Sequence, residues 1–411
     1  MTRRIVITGM GIVSSIGNNI DEVLESLKTN KTGIQSMPEW AELGFRSTVA
    51  GTIKGLNEQN MRQKIGLKSR FMDLSALYAF LAAEEALRTS GLKREDIANE
   101  RTGCIVGSGI SNTDPIVRSG LKINTGSGMV TPYDITRCMS NSCSANLVNY
   151  YGIKGRSYSL SSACATSLHN ISHGTEIIAA GGSDIMLTGG AEEVTAALTL
   201  MFDGMRTVLS KAFNDTPETA SRPYDEKRDG FVISGGSGIV ILEELEHAKK
   251  RNAPIFAEIV GFGANSDGHD IIQPDPTGDG ARRCMEEALK MAGLAPDDID
   301  YINAHATSTP EGDIVEARAI RDTFGDYKVP VSSTKSITGH GIGAAGAQEL
   351  VYCLLMMKHN FISASVNIEK TDPACDHLNI ITRNRECNHE KVLTISLGFG
   401  GTNASLIIKK I

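Results

Sequence analysis

A duplicated α/β fold with layered sheets and helices is the fold class that this 411-residue sequence predicts. Strand patterns alternate with helical ones along the chain, which favours parallel sheets covered by helices. A short apolar strand that runs into glycines at 4–13 is echoed at 257–264. Two further pairs of segments, 157–167 with 329–340 and 184–191 with 392–401, follow in the same order. We therefore predict one half over residues 1–250 and a second half over residues 251–411.

The boundary between the halves follows a charged helical stretch that ends at Arg251-Asn-Ala-Pro, a typical helix stop. Residues 60–98 and 108–150 are predicted to be helical and loop insertions on the first half. No linker-like segment separates the halves, so we expect one duplicated unit rather than separate modules. Glycine supplies 42 of the 411 residues, above the usual ~7%, which indicates many tight turns and close backbone approaches.

Composition excludes several classes of protein. The 48 acidic and 41 basic residues leave a net charge of −7, which argues against nucleic acid as the main partner. No apolar run reaches the ~18–20 residues of a membrane span, and the N-terminus lacks the features of a signal peptide. The eight cysteines include no CxxC pair, so we expect reduced thiols in a cytoplasmic protein.

Cys164 is the cysteine whose setting predicts a nucleophile. It follows the strand pattern at 157–162 and precedes a helical stretch with apolar residues at Leu168, Ile171 and Ile178. A cysteine at a helix N-terminus faces unpaired N–H groups, which favour the thiolate and lower the pKa. The small residues on both sides keep such a turn accessible. The plain alternative is a buried core cysteine.

Two histidines lie among small residues and hydroxyls at predicted strand ends, which are the usual places for sites in α/β sheets. His305 sits in Asn-Ala-His-Ala-Thr-Ser-Thr-Pro, and His340 sits in Thr-Gly-His-Gly-Ile-Gly. The alternative for each is an ordinary surface loop histidine. His169 and His173 have the i,i+4 spacing of half a zinc site but no evident third ligand, so no metal is predicted. No dinucleotide or phosphate-loop motif is complete, so no cofactor is predicted either.

Four motifs follow one another along the chain: Ser-Ser-Ala-Cys164-Ala-Thr-Ser, Asn-Ala-His305-Ala-Thr-Ser-Thr-Pro-Glu-Gly-Asp, Ser-Thr-Lys335-Ser-Ile-Thr-Gly-His340 and Gly-Phe399-Gly-Gly-Thr-Asn. Together they resemble the β-ketoacyl-[acyl-carrier-protein] synthases of the Cys-His-His type, and the resemblance runs from end to end of the chain. Other segments are closer to the synthase I branch than to synthase II, among them 214–218, 231–238 and 344–349. The resemblance implies the thiolase fold and a homodimer.

The resemblance also implies a decarboxylating condensation in fatty acid biosynthesis. Cys164 would take an acyl chain from an acyl carrier protein, and the N–H groups of Cys164 and Phe399 would form the oxyanion hole. His305 and His340, both neutral, would donate to the thioester carbonyl of malonyl-carrier protein as carbon dioxide leaves. Lys335 is expected to orient the site.

The resemblance assigns supporting roles to further residues. Glu316 matches the carboxylate partner of Lys335, and Thr307 and Thr309 match residues that bind the phosphopantetheine arm. Phe399 resembles the gate between the acyl and malonyl pockets. Phe202 and Met139 are expected to line the acyl pocket, although lone apolar residues are by default core.

Carrier proteins are acidic, so a chain of net charge −7 needs a local basic face to bind one. The best candidate run is Arg62, Lys64, Lys68 and Arg70, with Arg118 and Lys122 as possible additions. A solvated helix face is the alternative.

The sequence departs from the family pattern at Ala306, where glycine is usual, and at Leu397, where phenylalanine is usual; the residue before Ser396 is Ile395. These departures leave the chemistry intact and leave chain-length preference open. A synthase II or a secondary-metabolism ketosynthase remains an alternative. A degradative thiolase would need a second cysteine at 397–403, and a chain-length-factor partner would lack Cys164.

Overall fold

The computed structural model describes residues 3–411, which form 15 strands and 15 α-helices. The strands are β1 (Ile5–Ser14), β2 (Gln35–Ser36), β3 (Val49–Ala50), β4 (Thr102–Gly107), β5 (Ser157–Tyr158), β6 (Ile185–Glu192), β7 (Gly236–Glu244), β8 (Ala257–Ser266), β9 (Tyr301–Asn303), β10 (Pro330–Ser332), β11 (Phe361–Ile362), β12 (Asn379–Ile380), β13 (Arg385–Glu386), β14 (Lys391–Gly398) and β15 (Thr402–Lys409).

The α-helices connect and cover these strands. They are α1 (Ile20–Thr29), α2 (Pro38–Glu42), α3 (Glu58–Ile65), α4 (Leu74–Ser90), α5 (Arg94–Ile97), α6 (Asp114–Thr125), α7 (Asp134–Cys138), α8 (Ser142–Tyr151), α9 (Thr166–Ala179), α10 (Ala196–Gly204), α11 (Leu245–Lys250), α12 (Asp279–Ala292), α13 (Gly312–Phe324), α14 (Lys335–Thr338) and α15 (Ala345–His359).

The main sheet repeats one strand order twice. Its order is β12-β10-β9-β14-β15-β8-β1-β7-β6-β4-β5. It contains two sets of five strands, β5-β4-β6-β7-β1 and β10-β9-β14-β15-β8. If the strands of each set are numbered along the chain, both sets have the spatial order third, second, fourth, fifth, first. The first strands of the two sets, β1 and β8, pair antiparallel at the centre. The three pairs of segments that echo each other in sequence thus occupy equivalent places, which confirms the duplicated α/β fold of the thiolase type.

Each half of the sheet is mixed, whereas the sequence pattern predicted parallel strands. Strand β4 is parallel to β5 and β6, and β9 is parallel to β10 and β14. Strand β7 is antiparallel to β6 and β1, and β15 is antiparallel to β14 and β8. The reason is plain at β14–β15, because the connection 399–401 is too short for a crossover and permits only a hairpin.

Helices α9 and α15 contact each other and form a central layer. The core around them takes Leu168 and Leu350 from these helices, Leu242 from one half of the sheet and Leu406 from the other. Two further cores lie on the outer faces, one under α4 and one under α12. The layers therefore alternate helix, sheet, helix, sheet, helix, and the two central helices carry their N-termini to the same region.

Helix α4 is part of the repeated fold rather than an insertion. It packs on β1 and β7, as α12 packs on β8 and β15. Asp73 caps its N-terminus by accepting a hydrogen bond from the Ala76 N–H (2.6 Å), and Gly91 ends it at φ +71°. A Cβ at Gly11 of β1 would lie 2.0 Å from the Ala82 carbonyl oxygen, so this approach of helix to strand requires glycine.

Candidate active site

Cys164 lies in the turn that joins β5 to α9, as the sequence predicted. A single 3₁₀ turn, Ala163–Ala165, directly precedes α9. Ala163 has φ +50°, a left-handed conformation that costs energy for a residue with a Cβ. Strain of this kind at a strand-to-helix turn is typical of an exposed nucleophile. The geometry therefore supports a functional cysteine over an ordinary core cysteine.

The pKa of Cys164 is shifted in the direction opposite to the sequence expectation. Burial raises the pKa of the thiol to about 12, and the charge of Glu192 acts in the same direction. Lys335 and hydrogen bonds from the N–H groups of Phe399 and Cys164 lower the pKa by less. Desolvation thus outweighs the helix N-terminus, and the resting sulfur is a thiol. The two N–H groups converge on the same point, where they can stabilise a developing oxyanion.

The short β14–β15 connection carries Phe399 to the nucleophile. A Cβ at Gly398 would lie 2.8 Å from the Ser162 carbonyl oxygen, so glycine is needed for this segment to approach the Cys164 turn. The Phe399 ring is half-buried and lies 6.4 Å, centroid to centroid, from the ring of Phe202. Because the Phe399 backbone faces Cys164 while its ring is beside Phe202, this residue stands between the sulfur and an apolar region.

His305 and His340 face each other in the same cavity. His305 follows β9, and His340 follows α14; their ring centroids are 5.2 Å apart at an interplanar angle of 90°. Burial, followed by the positive charge of Lys335, lowers the pKa of each ring well below its usual value. Both rings are therefore neutral at pH 7. Within residues 3–411, Nδ1 of His305 and both ring nitrogens of His340 lack a hydrogen-bond partner, so they are available to a substrate.

Backbone contacts fix the two histidines independently of any ligand. The His340 N–H donates to the Val232 carbonyl (2.8 Å), and the Ser234 N–H donates to the His340 carbonyl (2.9 Å). The His305 N–H donates to Glu316 Oε1 (2.7 Å). The ring of Phe231 packs edge-on against His340 at 5.4 Å. The ring positions are thus set before substrate arrives, as a preorganised site requires.

The carboxylate partner of Lys335 is Glu349, which corrects the assignment of Glu316. The Lys335 ammonium bonds Glu349 Oε1 on α15, and both side chains are buried. Glu316, on α13, instead accepts hydrogen bonds from the N–H groups of His305 and Ala306 (2.7 and 2.6 Å). These bonds fix the backbone that follows β9. Burial raises the pKa of Glu316 to about 8 and that of Glu349 to about 7. The sequence did hold a signal for this partner. Apart from Gln348, the stretch 345–357 is apolar except for one charged residue, Glu349, and a charge buried there needs a partner.

One cavity of about 610 Å³ brings most of the predicted residues together. Lys335 lies behind its wall. Met139 does not line this cavity within the single chain, and its carbonyl accepts a hydrogen bond from the Ser111 hydroxyl (3.1 Å). Its assignment to the acyl pocket is therefore not supported by the structure of this chain. The predicted residues that do line the cavity are Cys164, Phe202, His305, Thr307, Thr309, Glu316, His340 and Phe399.

An apolar lobe of the cavity was missed in the sequence. Its residues come from the chain after β4, from α10 and the turn that follows it, from the segment before β7 and from the turn after α14. Phe231 and Ile342 lie inside sequence motifs, but nothing local indicated that their side chains face a cavity. On the opposite side, the Thr307 and Thr309 hydroxyls are 3.1 Å apart. The missed apolar residues are Ile110, Met201, Met205, Val208, Phe231 and Ile342.

The departures from the family pattern have different consequences. Ala306 has a negative φ, so its methyl group adds no backbone strain and only narrows the cavity. Ile395 is fully buried in the core under α12 and does not reach the cavity. Leu397 forms part of the cavity wall. Leu397 and Ala306 are thus the two departures that can alter what binds.

The predicted basic run is only partly available to a partner. The Arg62 guanidinium forms an ion pair with Glu58 (2.7 Å) and donates to two backbone carbonyls. Lys68 is exposed and donates to a backbone carbonyl, and the Arg70 guanidinium lies over two aromatic rings. Lys64 is exposed, and no hydrogen bond or ion pair holds its ammonium within the described chain. Lys64 is therefore the side chain of this run that is best placed to bind an acidic surface.

Two structural features of residues 3–411 bear on partners. No three or more His, Cys, Asp or Glu side chains are grouped so that they could hold a metal ion. No helix in this range has both the length and the hydropathy needed to cross a bilayer.

Fold and site together define a class, the condensing enzymes of the thiolase fold that depend on a cysteine. Two family profiles match the chain, the N-terminal domain of β-ketoacyl synthases over residues 2–248 and the C-terminal domain over residues 256–369. The chain belongs to the β-ketoacyl synthase family, as its motifs implied.

Named relatives and solved structures agree with this membership. The 3-oxoacyl-[acyl-carrier-protein] synthase 1 of Haemophilus influenzae is 48% identical over 411 residues, with 99% of each chain covered. The synthase 2 of Coxiella burnetii is 39% identical, covering 100% of this chain and 99% of its own. A crystal structure of a β-ketoacyl synthase from Burkholderia phymatum matches at 37% identity with a TM-score of 0.92, and both chains are covered completely.

A further structural match includes a carrier protein. A type II polyketide acyl-carrier protein in complex with its hexaketide-bound ketosynthase matches with a TM-score of 0.90 and 29% identity, with 100% of both chains covered.

Proposed function

We propose that the chain catalyses the decarboxylating condensation of an acyl thioester with malonyl-carrier protein in fatty acid biosynthesis, as a synthase I. The product is a β-ketoacyl-carrier protein two carbons longer, and carbon dioxide is released. The observation that carries the proposal is the convergence of two N–H donors on Cys164, opposite two neutral histidines in one cavity. The 48% identity to a synthase 1, against 39% to a synthase 2, favours the first type.

The first step is acyl transfer to Cys164. The sulfur attacks the carbonyl carbon of the acyl-carrier thioester, and the N–H groups of Cys164 and Phe399 stabilise the oxyanion. The carrier thiolate then leaves and takes the proton from the cysteine. Lys335, whose charge lowers the pKa of Cys164, supports this step without itself carrying the proton.

The second and third steps use the histidines. When malonyl-carrier protein binds, the bond to the carboxylate breaks, and its electron pair forms an enolate on the thioester oxygen. N–H groups of His305 and His340 donate to that oxygen, a role that needs neutral rings with a free donor. The carbanion attacks the acyl carbon on Cys164, the Cys164 thiolate leaves, and a proton from water restores the resting thiol.

Thr307 and Thr309 are proposed to bind the phosphopantetheine arm, since both hydroxyls face the cavity beside His305. Phe399 is proposed to separate the acyl pocket, which includes Phe202, from the malonyl side. We also propose that the two halves divide at residue 250, with the nucleophile on the first half and both histidines on the second; the strand order that repeats in β1–β7 and β8–β15 supports this division.

A homodimer is proposed from an exposed apolar surface. A soluble monomer rarely exposes many large apolar side chains on one continuous segment. Sedimentation equilibrium tests the assembly, and a monomer at assay concentration would contradict it. The segment runs from α6 to α7 and exposes Ile116, Val117, Leu121, Ile123, Met129, Val130 and Ile135.

A cytoplasmic location is also proposed. All eight cysteines are free thiols, which fits the reducing conditions of the cytoplasm.

Acyl carrier protein is the proposed partner, and Lys64 is the proposed centre of its docking face. We expect Lys64→Glu to lower kcat/KM for carrier-bound substrates about fivefold at low salt, because an attraction becomes a repulsion. The loss should shrink at high salt, and free pantetheine thioesters should react as before. Lys250→Glu, at another exposed lysine, on α11, is the matched control. Equal losses in both variants would contradict this docking face.

Mass spectrometry of the chain after mixing with acyl-carrier proteins of varied acyl length tests the function as a whole. We expect the added mass of the acyl group on the peptide that contains Cys164, and an extended β-ketoacyl product once malonyl-carrier protein is supplied. The loading profile across lengths distinguishes a synthase I from a synthase II or a specialised ketosynthase. Acylation of another residue, or none at any length, would contradict the proposal.

A further inference from the structure

The sequence motif Ser221–Val232, which reads Ser-Arg-Pro-Tyr-Asp-Glu-Lys-Arg-Asp-Gly-Phe-Val, has no role in the chemistry above, yet it contains two almost fully buried arginines, Arg222 and Arg228. The Arg228 side chain is 2% exposed. Its guanidinium donates to the carbonyls of Thr309 (3.0 Å), Pro310 (2.6 Å) and Asp225 (2.9 Å), and to Asp372 Oδ2 (2.7 Å). Burying so many donors is tolerated only because each faces an acceptor, so Arg228 joins the motif rigidly to the Thr309–Pro310 backbone.

The segment that Arg228 holds is strained. Ser308 has φ +73°, and its own contacts all come from buried neighbours. Its N–H donates to Asp313 Oδ1 (3.1 Å), its carbonyl accepts from the Gly230 N–H (3.1 Å), and its hydroxyl accepts from the Arg222 N–H (3.0 Å). A non-glycine residue keeps such a conformation only where the surroundings impose it.

The strained conformation of Ser308 determines where the side chains of its two neighbours lie. Ser308 lies between Thr307 and Thr309, and its conformation leaves both threonine hydroxyls on the cavity side, 3.1 Å apart. Two of the three carbonyls that Arg228 binds belong to Thr309 and to the following Pro310. Loss of these bonds would release the C-terminal end of the segment while leaving Cys164 and the two histidines untouched.

We infer that Arg228 is a positioning residue that holds Thr307–Pro310 so that both threonine hydroxyls meet the pantetheine arm of the substrate. The inference rests on the proposed function for that arm. Lysine cannot replace this arginine, because one ammonium offers three donors around a point, whereas the guanidinium forks across four acceptors. The residue acts on binding of the arm and not on bond breaking at Cys164.

The test compares two acyl donors that differ only in the arm, hexanoyl-pantetheine and S-ethyl thiohexanoate. For Arg228→Lys, we expect the concentration of hexanoyl-pantetheine that half-saturates acylation of Cys164 to rise about tenfold, as the loss of one to two hydrogen bonds predicts. The maximal acylation rate should stay within about twofold, and the rate with S-ethyl thiohexanoate should not change. Mass spectrometry follows both reactions.

Arg251→Lys is the matched control, since Arg251 also bonds a carboxylate, Glu243, and a backbone carbonyl, but neither it nor these partners line the cavity. Asp372→Asn is a second test variant in case Arg228→Lys does not fold, because it weakens one contact of Arg228 and should raise the same half-saturating concentration about threefold. Equal losses with both donors, or equal effects of Arg228→Lys and Arg251→Lys, would overturn the inference.

The double variant Thr307→Ala, Thr309→Ala separates this inference from the proposed function. If the double variant loses its preference for hexanoyl-pantetheine but Arg228→Lys and Asp372→Asn keep it, the positioning role fails while the proposed arm site stands. If the double variant keeps the preference, the arm site fails, and the inference fails with it.

Discussion

Replacement of Cys164 by alanine should reduce condensation by on the order of 10⁵-fold, the loss typical of removing a covalent nucleophile. Without the sulfur no acyl-enzyme forms, and the oxyanion donors at Cys164 and Phe399 have no tetrahedral centre to stabilise. Decarboxylation of malonyl-carrier protein should persist, since His305 and His340 are unchanged. Release of labelled carbon dioxide and formation of β-ketoacyl product, measured in the same reaction, separate the two activities.

The variant is expected to fold, because the strained φ belongs to Ala163 and an alanine at 164 removes only the sulfur. Cys387→Ala is the matched control, since Cys387 is a half-buried cysteine outside the cavity. Condensation by Cys164→Ala at more than a few per cent of the parent rate would show that another residue receives the acyl group.

The sequence predicted those site residues whose functional setting lies within a few neighbouring positions of the chain. Cys164 and His340 each lie within a short motif of small residues next to a strand end or turn, and a reader of the sequence can recognise such a motif. The duplicated fold was predictable for the same reason, because equivalent strands β1 and β8 carry similar residues. The antiparallel pairs were not, because they depend on the lengths of connections rather than on strand composition.

Long-range partners were the harder part to predict. Glu316 and Glu349 are both buried carboxylates on helices, and only the fold brings Glu349 of α15, rather than Glu316 of α13, to Lys335. Arg62 looked available as a positive charge, yet its guanidinium is used within its own helix and turn. The sign of the pKa shift at Cys164 followed from burial, which a helix N-terminus in a sequence does not reveal.

The neutral state of the two histidines makes the reaction rate insensitive to pH but makes the stability of the fold sensitive to it. Burial and the Lys335 charge lower the pKa of His305 and His340, so both rings stay neutral as the pH falls through 6.5, where an ordinary histidine gains its proton. The decarboxylation rate should therefore be constant from pH 8 to about pH 6. The unfolded chain does bind those protons, so each histidine lowers the free energy of unfolding by up to about 1.4 kcal/mol per pH unit below pH 6.5.

His340→Ala and His305→Ala should each lower malonyl decarboxylation by on the order of 10³-fold, because a preorganised N–H donor to the enolate is lost. Acylation of Cys164 should continue in both, since its oxyanion donors are the backbone N–H groups of Cys164 and Phe399. His359→Ala, at the exposed end of α15, is the control.

The same variants test protonation through stability. In each, the free energy of unfolding should decline less steeply than in the parent below pH 6.5, because one neutral buried histidine has been removed from the folded state. Buried Glu316 and Glu349, whose pKa values are raised, act in the opposite direction, so the difference between parent and variant isolates the histidine. A parent decarboxylation rate that halves near pH 6.5, or parallel stability curves, would mean that the rings are protonated in the folded chain and that the two-donor mechanism is wrong.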